Sequence, residues 1–417
     1  MTVTHSDRAQ RVLDRCRQLA DCSEVPGEIT RTFLSWPMHD VHALLRGWME
    51  SAGMSVSIDA IGNLRGLWPG IAADSPRLII ASHLDTVPNA GAFDGPLGVV
   101  LGLALVEELR NARLPFAVEV IGFSEEEGVR FNTPFLGSLA LTGKLDKAML
   151  SLEDAHGMTL AEAIRDFGLD PASIPAAALS ARAHAYLEFH IEQGPVLESG
   201  NQPLGVVAAI TGQSRYLVHF TGKANHAGTT PMRLRHDAMA AAAEWIVAVE
   251  RIASGHDGLV ATVGRVETRP GAVNVIAGDV FASLDVRHAD DTQRLQAANA
   301  ILLAASHAAS RRGVEFVTRQ TMDQAAVPMS PWLTQTLAAA AQTAGIQPTP
   351  MVSGAGHDAM VLAEAIPSCM LFLRSPGGIS HHPDEAVLPH DVEAALATGS
   401  AFLQLLAQQH PHLRPTL

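Results

Sequence analysis

The stretch "ASHLDTVPNAGAFDG" (81–95) begins as an apolar strand and then presents His83, Asp85 and Asp94 on a Gly- and Pro-rich exit. An imidazole and two carboxylates placed so closely need partners or a metal ion, because such groups are costly to bury unpaired. Three further stretches repeat the pattern. "FAVEVIGFS" (116–124) runs into Glu125, Glu126 and Glu127, "AYLEFHIEQ" (185–193) carries His190, Glu192 and Gln193, and "SCMLFLRS" (368–375) leads to His381 and His382. Imidazole plus carboxylate without thiolate suits a catalytic divalent ion, zinc or manganese, with open coordination. Three histidines and two acids exceed the needs of one ion, and two ions sharing Asp94 as a bridge would use them all. Asp85 lies two residues beyond His83, on the same face if the strand continues, and would then hold the second imidazole nitrogen. A lone histidine at a strand end is more often a satisfied core or surface residue, and a lone Glu in "EEE" is usually solvated. Four such clusters at four strand ends make that bland reading the weaker one.

The elements that must position these residues can be read from periodicity. Residues 8–22 and 39–53 have helical apolar spacing, "RLIIASH" (77–83) is a buried strand, and "GVVLGLALVEELRNA" (98–112) is a helix. Strands follow at 116–124, 185–193 and 368–375. Strand–helix alternation predicts an α/β layered domain with a mainly parallel sheet, and in such sheets ligands bind at the carboxyl ends of strands. The middle differs. A strand (214–223), a helix (235–254), strands at 258–269 and 277–288, a helix (291–312) and a strand (313–322) give the split β-α-β order of a small ferredoxin-like α+β domain. Residues 213–327 are therefore expected to form a domain inserted into a discontinuous catalytic domain, 1–212 and 328–417, with Pro328 and Pro331 marking the return.

Composition limits the alternatives. Lys+Arg total 29 and Asp+Glu total 43, a net charge of −14 that argues against a nucleic-acid partner, which would need a basic face. No uninterrupted apolar run reaches the roughly 18 residues of a membrane span, and "MTVTHSDRAQRVLDRC" lacks the apolar core of a signal peptide. Cys16, Cys22 and Cys369 cannot all pair with one another, which points to a reduced, cytoplasmic setting.

"HLDTVPNAGAFDG", "FSEEEGVRF", "HIEQGP", "NHAGTTPM" and "GISHHPDE" together resemble the dinuclear metal amidohydrolases of the hydantoinase/carbamoylase type, within a wider superfamily of aminoacylases and metal carboxypeptidases. The resemblance runs from about residue 10 to 405. It implies two divalent ions per subunit, one held by His83, Asp94 and His190, the other by Asp94, Glu127 and His381. It makes Glu126 the general base and Asp85 the support of His83. Glu125 takes no role, and His382 is a spare. The inserted domain resembles the family's lid and dimerisation domain, so a homodimer is implied. His226 matches the residue that stabilises the oxyanion, often supplied by the neighbouring subunit. Asn274 in "GAVNVIAG" and Arg287 in "LDVRH" match a clamp on the substrate carboxylate, a task for which the guanidinium fork is suited. Gln193, Gly356 and His357 match segments lining the substrate site.

The implied substrate is a small ureide or carbamoyl compound bearing a carboxylate. His190 stands where peptidase relatives carry an acid, which favours ureido hydrolysis over an aminoacylase or peptidase. "EEEGVRFNTPFLGS" and Arg215 in "TGQSR" resemble the allantoate branch, because a second ureido group offers a carbonyl to a guanidinium. N-carbamoyl-L-amino acids are the alternative, and β-ureidopropionate a variant of it. "RTFLSWPM" (31–38) has a similar flavour but no assignable contact. A binding protein that had abandoned catalysis would be expected to lose Glu126 or a metal ligand, and this chain keeps them.

Overall fold

The computed structural model describes residues 5–109, 112 and 114–409, so the outermost ends of the expected catalytic domain and part of the expected 98–112 helix lie outside it. The chain divides into two compact units. One comprises the residues up to Ala208, Met329–Met351 and the residues from Gly356 onward, and the other comprises Ala209–Pro328 and Val352–Ala355.

The first unit is built on one mixed sheet. Its strands lie in the order Ser55–Ile58, Leu64–Trp68, Ala117–Phe123, Arg77–His83, Ala183–Ile191, Ser368–Leu373, Leu204–Ile210. The four central strands run parallel, and the strands flanking them pair antiparallel. Arg77–His83 and Ser368–Leu373 read as near-continuous apolar runs because both their faces are covered. Helix Pro96–Leu109 is buried from Pro96 through Val106, which explains its lack of a polar face. It packs on the central strands and against helices His5–Ala20 and Pro389–Gln409. Each fully buried Leu or Val there contributes about 1.5–3 kcal/mol of transfer free energy. The strand Arg77–His83 stops at His83, so Asp85 does not share its face by strand alternation; it belongs to the turn that follows. Strands Ser55–Ile58 and Leu64–Trp68 and helices Pro331–Thr343 and Pro389–Gln409 had no counterpart in the periodicity reading.

The second unit has a four-strand path, Val266–Arg269, Asp279–His288, Gly212–Thr221 and Glu315–Gln324, with helices Ala238–Ser254 and Asp291–Arg311 on it. The expected single strand at 258–269 is two, Val260–Thr262 and Val266–Arg269, both pairing with Asp279–His288. The helices start where Asp237 and Asp290 accept backbone N–H groups of the first turn, the ordinary N-cap bond. Burial in Asp279–His288 alternates strictly, one face toward a core that includes Phe220, Trp245 and Ile301. Among the described residues no helix is long and apolar enough to cross a membrane.

Candidate active site

His83 closes the strand Arg77–His83, and Asp94 lies in the loop before helix Pro96–Leu109. Glu126 and Glu127 follow Ala117–Phe123, His190 is the penultimate residue of Ala183–Ile191, and His381 lies beyond Ser368–Leu373. Parallel pairing brings these strand ends together, with His83 opposite Phe123 and His190 opposite Phe372. Asp94 Oδ1 is 3.4 Å from His83 Nε2 and 3.1 Å from His190 Nε2, while its Oδ2 is 3.3 Å from His381 Nε2. Glu127 Oε1 is 3.6 Å from the same His381 nitrogen. The ligand atoms of His83, Asp94 and His190 fall within 4.8 Å of one another, as do those of Asp94, Glu127 and His381, and those of His83, Glu126 and Glu127. Gly95, with φ +84°, lets the chain turn directly after Asp94, where a Cβ would come within 2.5 Å of the His83 ring.

The donor set fits divalent ions. His83 Nδ1 donates to the Asp85 carbonyl at 3.0 Å and His190 Nδ1 to the Ile191 carbonyl at 2.9 Å. Both Nε2 lone pairs are thereby turned inward, 3.3 Å apart, toward an Asp94 Oδ1 that is buried without a well-aligned donor. Lone pairs converging in this way repel unless positive charge lies between them. Burial opposes ionisation of Asp94, yet with no cation between them His190, His381 and His83, when doubly protonated, donate to it and outweigh burial, holding the carboxyl well below its usual range. Its neighbours go the other way. Burial, then the charges of Glu127, Asp358 and Asp85, pushes Glu126 well up, and burial with Asp94 and Asp85 raises Glu127 to about 7. So many desolvated acids at one place resist ionising together, and a bound cation would relieve that cost.

Of the remaining expected residues of this unit, Asp85, Gln193 and His357 contact members of the cluster, each in its own way. The Asp85 carboxylate accepts the N–H groups of Glu126 at 3.0 Å and Glu127 at 3.1 Å, whereas it is 3.4 Å from His83 Nδ1. It is the main-chain carbonyl of Asp85 that orients the imidazole, and the side chain that fixes the acid turn. Gln193 adopts a left-handed φ of 58°, and its amide donates to Asp94 Oδ2 at 2.8 Å and lies 3.3 Å from His381 Nε2. His357 is buried edge-on to His190, with ring centroids 4.4 Å apart, and a Cβ on Gly356 would meet Phe135 at 3.0 Å. His382 is exposed, and its Nδ1 accepts the Asp384 N–H at 3.2 Å.

Three residues had no assigned role in the sequence. Glu125 is fully buried, and burial with the Asp85 charge pushes its carboxyl well up. Glu188 lies on the same strand face as His190 and accepts bonds from Tyr186 Oη at 2.9 Å and Ala359 N at 3.0 Å. The alternation in "LEFHIEQ" was the signal for it. Arg31, from "RTFLSWPM", is buried, and its guanidinium donates to the carbonyls of Leu84 at 2.7 Å, Leu19 at 2.9 Å and Cys22 at 2.9 Å. Thr86 N donates back to the Arg31 carbonyl at 2.8 Å. That segment is a strap under the His83–Asp85 turn.

Four expected residues lie in the second unit, at two separate places. Arg287 grips Asp285 at 2.8 and 3.1 Å and donates to the Gly354 carbonyl at 2.6 Å, and Arg215 reaches the same carboxylate at 2.8 Å. These groups line a cavity of about 640 Å³ walled by Tyr216, Val260 and Thr262. His226 and Asn274 are elsewhere. The two-residue strand Asn225–His226 pairs with Val275–Ile276, and Ala227 N donates to the Asn274 carbonyl at 2.9 Å. His226 Nδ1 accepts the Gly228 N–H at 3.0 Å, which leaves the ring proton on Nε2, and the residue is exposed. Along Asp279–His288, Arg287 is opposite Gln213 and Asp279 opposite Thr221, so the His226/Asn274 end and the Arg287 end are roughly 25 Å apart at about 3.3 Å per residue.

The chain is 38% identical to a protein named allantoate deiminase 2 from Glycine max, over 94% of this chain and 88% of that one. It is also 38% identical to an N-carbamoyl-L-amino acid amidohydrolase from Geobacillus stearothermophilus, over 91% of this chain and 93% of that one. Its fold matches the crystal structure of an amidase of the hydantoinase/carbamoylase family from Burkholderia multivorans with a TM-score of 0.90 at 33% identity, covering 95% of this chain and 97% of that one. The family model described as peptidase family M20/M25/M40 matches residues 79–409, the span that contains all the converging acids and imidazoles, and the chain belongs to that family.

Proposed function

We propose that the chain is a metal-dependent amidohydrolase that cleaves a ureido C–N bond of allantoate, releasing ammonia and carbon dioxide. The observation that carries this reading is the convergence of His83, His190, His381 and Glu127 on the two oxygens of Asp94, with Glu126 beside them. The names of the relatives from Glycine max and Geobacillus stearothermophilus support the ureido or carbamoyl class. His83, Asp94 and His190 would hold one divalent ion and Asp94, Glu127 and His381 a second, zinc or manganese. Such ions supply Lewis acidity and lower the pKa of water. Glu126 takes a proton from the attacking water and returns it to the leaving nitrogen. His226, protonated at Nε2, donates to the developing oxyanion. Arg287 and Asn274 hold the substrate carboxylate, and Arg215 the second ureido group. Gln193, Gly356 and His357 line the bound substrate.

The second unit acts as lid and dimerisation domain. The separation of the two ends of Asp279–His288 supports a homodimer in which Arg287 from one subunit and His226 with Asn274 from its partner complete one site. The free thiols Cys16, Cys22 and Cys369 support a reducing, cytoplasmic setting. N-carbamoyl-L-amino acids are the second reading, favoured by the Geobacillus relative. Ammonia release from allantoate, N-carbamoyl-alanine and N-carbamoyl-β-alanine with added manganese tests both. Allantoate is expected to give the highest kcat/KM. A chain that ignored all three and cleaved a dipeptide would refute the ureido reading.

A further inference from the structure

Beneath the shared ligand lies a carboxylate with no place in the chemistry above. Glu385 is buried, and its Oε1 accepts two consecutive main-chain N–H groups, Phe93 at 2.9 Å and Asp94 at 3.0 Å. Its other oxygen is 3.4 Å from Ser380 Oγ, and that hydroxyl donates to Asp94 Oδ2 at 2.9 Å. The Glu385 N–H in turn donates to the His382 carbonyl at 3.0 Å. One side chain therefore ties the loop that carries Asp94 to the loop that carries His381, although 291 residues separate Asp94 from Glu385. The packing is tight enough to constrain the sequence. A Cβ on Gly91 would stand 2.3 Å from Glu385 Cβ and 2.4 Å from its Oε1, so only glycine at 91 leaves room for this carboxylate.

We propose that Glu385 is the positioning residue of the two-cation centre: by clamping the Phe93–Asp94 backbone to the His381 loop it fixes the bridging carboxylate for both ions at once. The physical reason is that a bridge must present two oxygens along two set directions. Its χ angles can settle only if the backbone beneath does not move. Outer partners of metal ligands set affinity in this way. Because Asp94 is common to both clusters, loss of the clamp weakens both ions, whereas loss of His381 weakens one.

The inference rests on the two-ion reading, and the experiment separates the two. Full-length apo protein is titrated with Mn2+ and with Zn2+ by calorimetry under chelator competition, and apo melting temperature is recorded for each variant. Wild type is expected to bind two ions, and a stoichiometry of one would overturn the two-ion reading itself. Glu385→Ala is expected to lose about 10–100-fold in affinity for both ions. Glu385→Gln keeps an acceptor for the two N–H groups and is expected to recover most of that loss. Gly91→Ala, which displaces Glu385 without removing it, is expected to reproduce the Ala defect, and it serves as the independent variant if Glu385→Ala fails to fold. Wild-type affinities in folded Glu385→Ala or in Gly91→Ala would overturn the proposal. So would a Gln variant as impaired as the Ala variant, since that would assign the effect to charge and not to the clamp.

Discussion

At the scale of single residues, the site separates groups that hold from groups that react. Glu126 is the carboxylate whose surroundings resist its ionisation while its backbone is pinned by Asp85. Glu126→Gln keeps the shape and removes the carboxylate proposed as proton acceptor. It should retain its metal content and lose about 10²–10⁴-fold in kcat, the range for general acid–base residues. Metal analysis alongside steady-state kinetics checks both halves. Arg215 has a different burden. Its Nε is taken by Asp285, and its guanidinium lines the cavity beside Arg287. Arg215→Met should cost about 1–3 kcal/mol of transition-state binding for allantoate and little for N-carbamoyl-alanine, because only the former offers a second carbonyl. Equal losses on the two substrates would remove Arg215 from substrate choice. The residue patterns that carried this much were local. His83, Asp94, Glu127, His190 and His381 each lie at or beyond the end of a strand, and a strand running into a polar cluster is visible without any tertiary information.

At the scale of elements, what the chain did not advertise is how ligand-bearing turns are held. Arg31 sits 52 residues before His83 in sequence, and its three bonds go to main-chain carbonyls, which carry no residue identity. No periodicity or motif predicts such a partner. Asp358, also fully buried, was missed in the same way, whereas Glu188 was marked by its strand alternation with His190. Helix Pro37–Ser51 shows the converse, a polar residue in the apolar stripe. His42 is 3% exposed, and among the described residues neither ring nitrogen has a hydrogen-bond partner. Burial first, then the charges of His39, Arg46 and Arg31, pushes its pKa down from 6.5 to about 3. Between those values the unfolded chain binds a proton that the folded chain refuses, so stability rises with pH across the window and His42 costs nothing further above it. His42→Leu should therefore stabilise the protein by about 1 kcal/mol at neutral pH, through removal of an unsatisfied N–H. That gain should widen as pH falls from 6.5 toward 3. Urea unfolding across that pH range checks it, and a gain that stayed flat would mean that His42 finds a partner on protonation.

At the scale of the whole molecule, the expectation is an assembly with shared sites. Glu126 is in the first unit and His226 in the second. If His226 acts on the partner's substrate, Glu126→Gln and His226→Ala homodimers are each inactive, yet subunit exchange between them should restore turnover, since one mixed site has both residues intact. An exchanged mixture as inactive as its parents, with mixed dimers confirmed by mass spectrometry, would place His226 in its own chain's site. Dialysis against a chelator should abolish activity, and added manganese should return it, while the fold persists because the sheet core of the first unit does not depend on the ions.

The sequence by itself determined the strands and helices that frame the site, the layered fold with an inserted α+β segment, and the candidate ligand donors, because those depend on side-chain chemistry and short-range periodicity. It left three things to the tertiary structure. One was that the Asp85 carbonyl, not its carboxylate, makes the shorter contact with His83 Nδ1. Another was that Arg287 stands near one end of the strand Asp279–His288 while Val275–Ile276, which pairs with Asn225–His226, precedes the other end. The last was that Glu385 and Gly91 fit together under Asp94. Each depends on distances between segments far apart in the chain. Such distances are set by strand register and by close packing, neither of which any single stretch of residues contains.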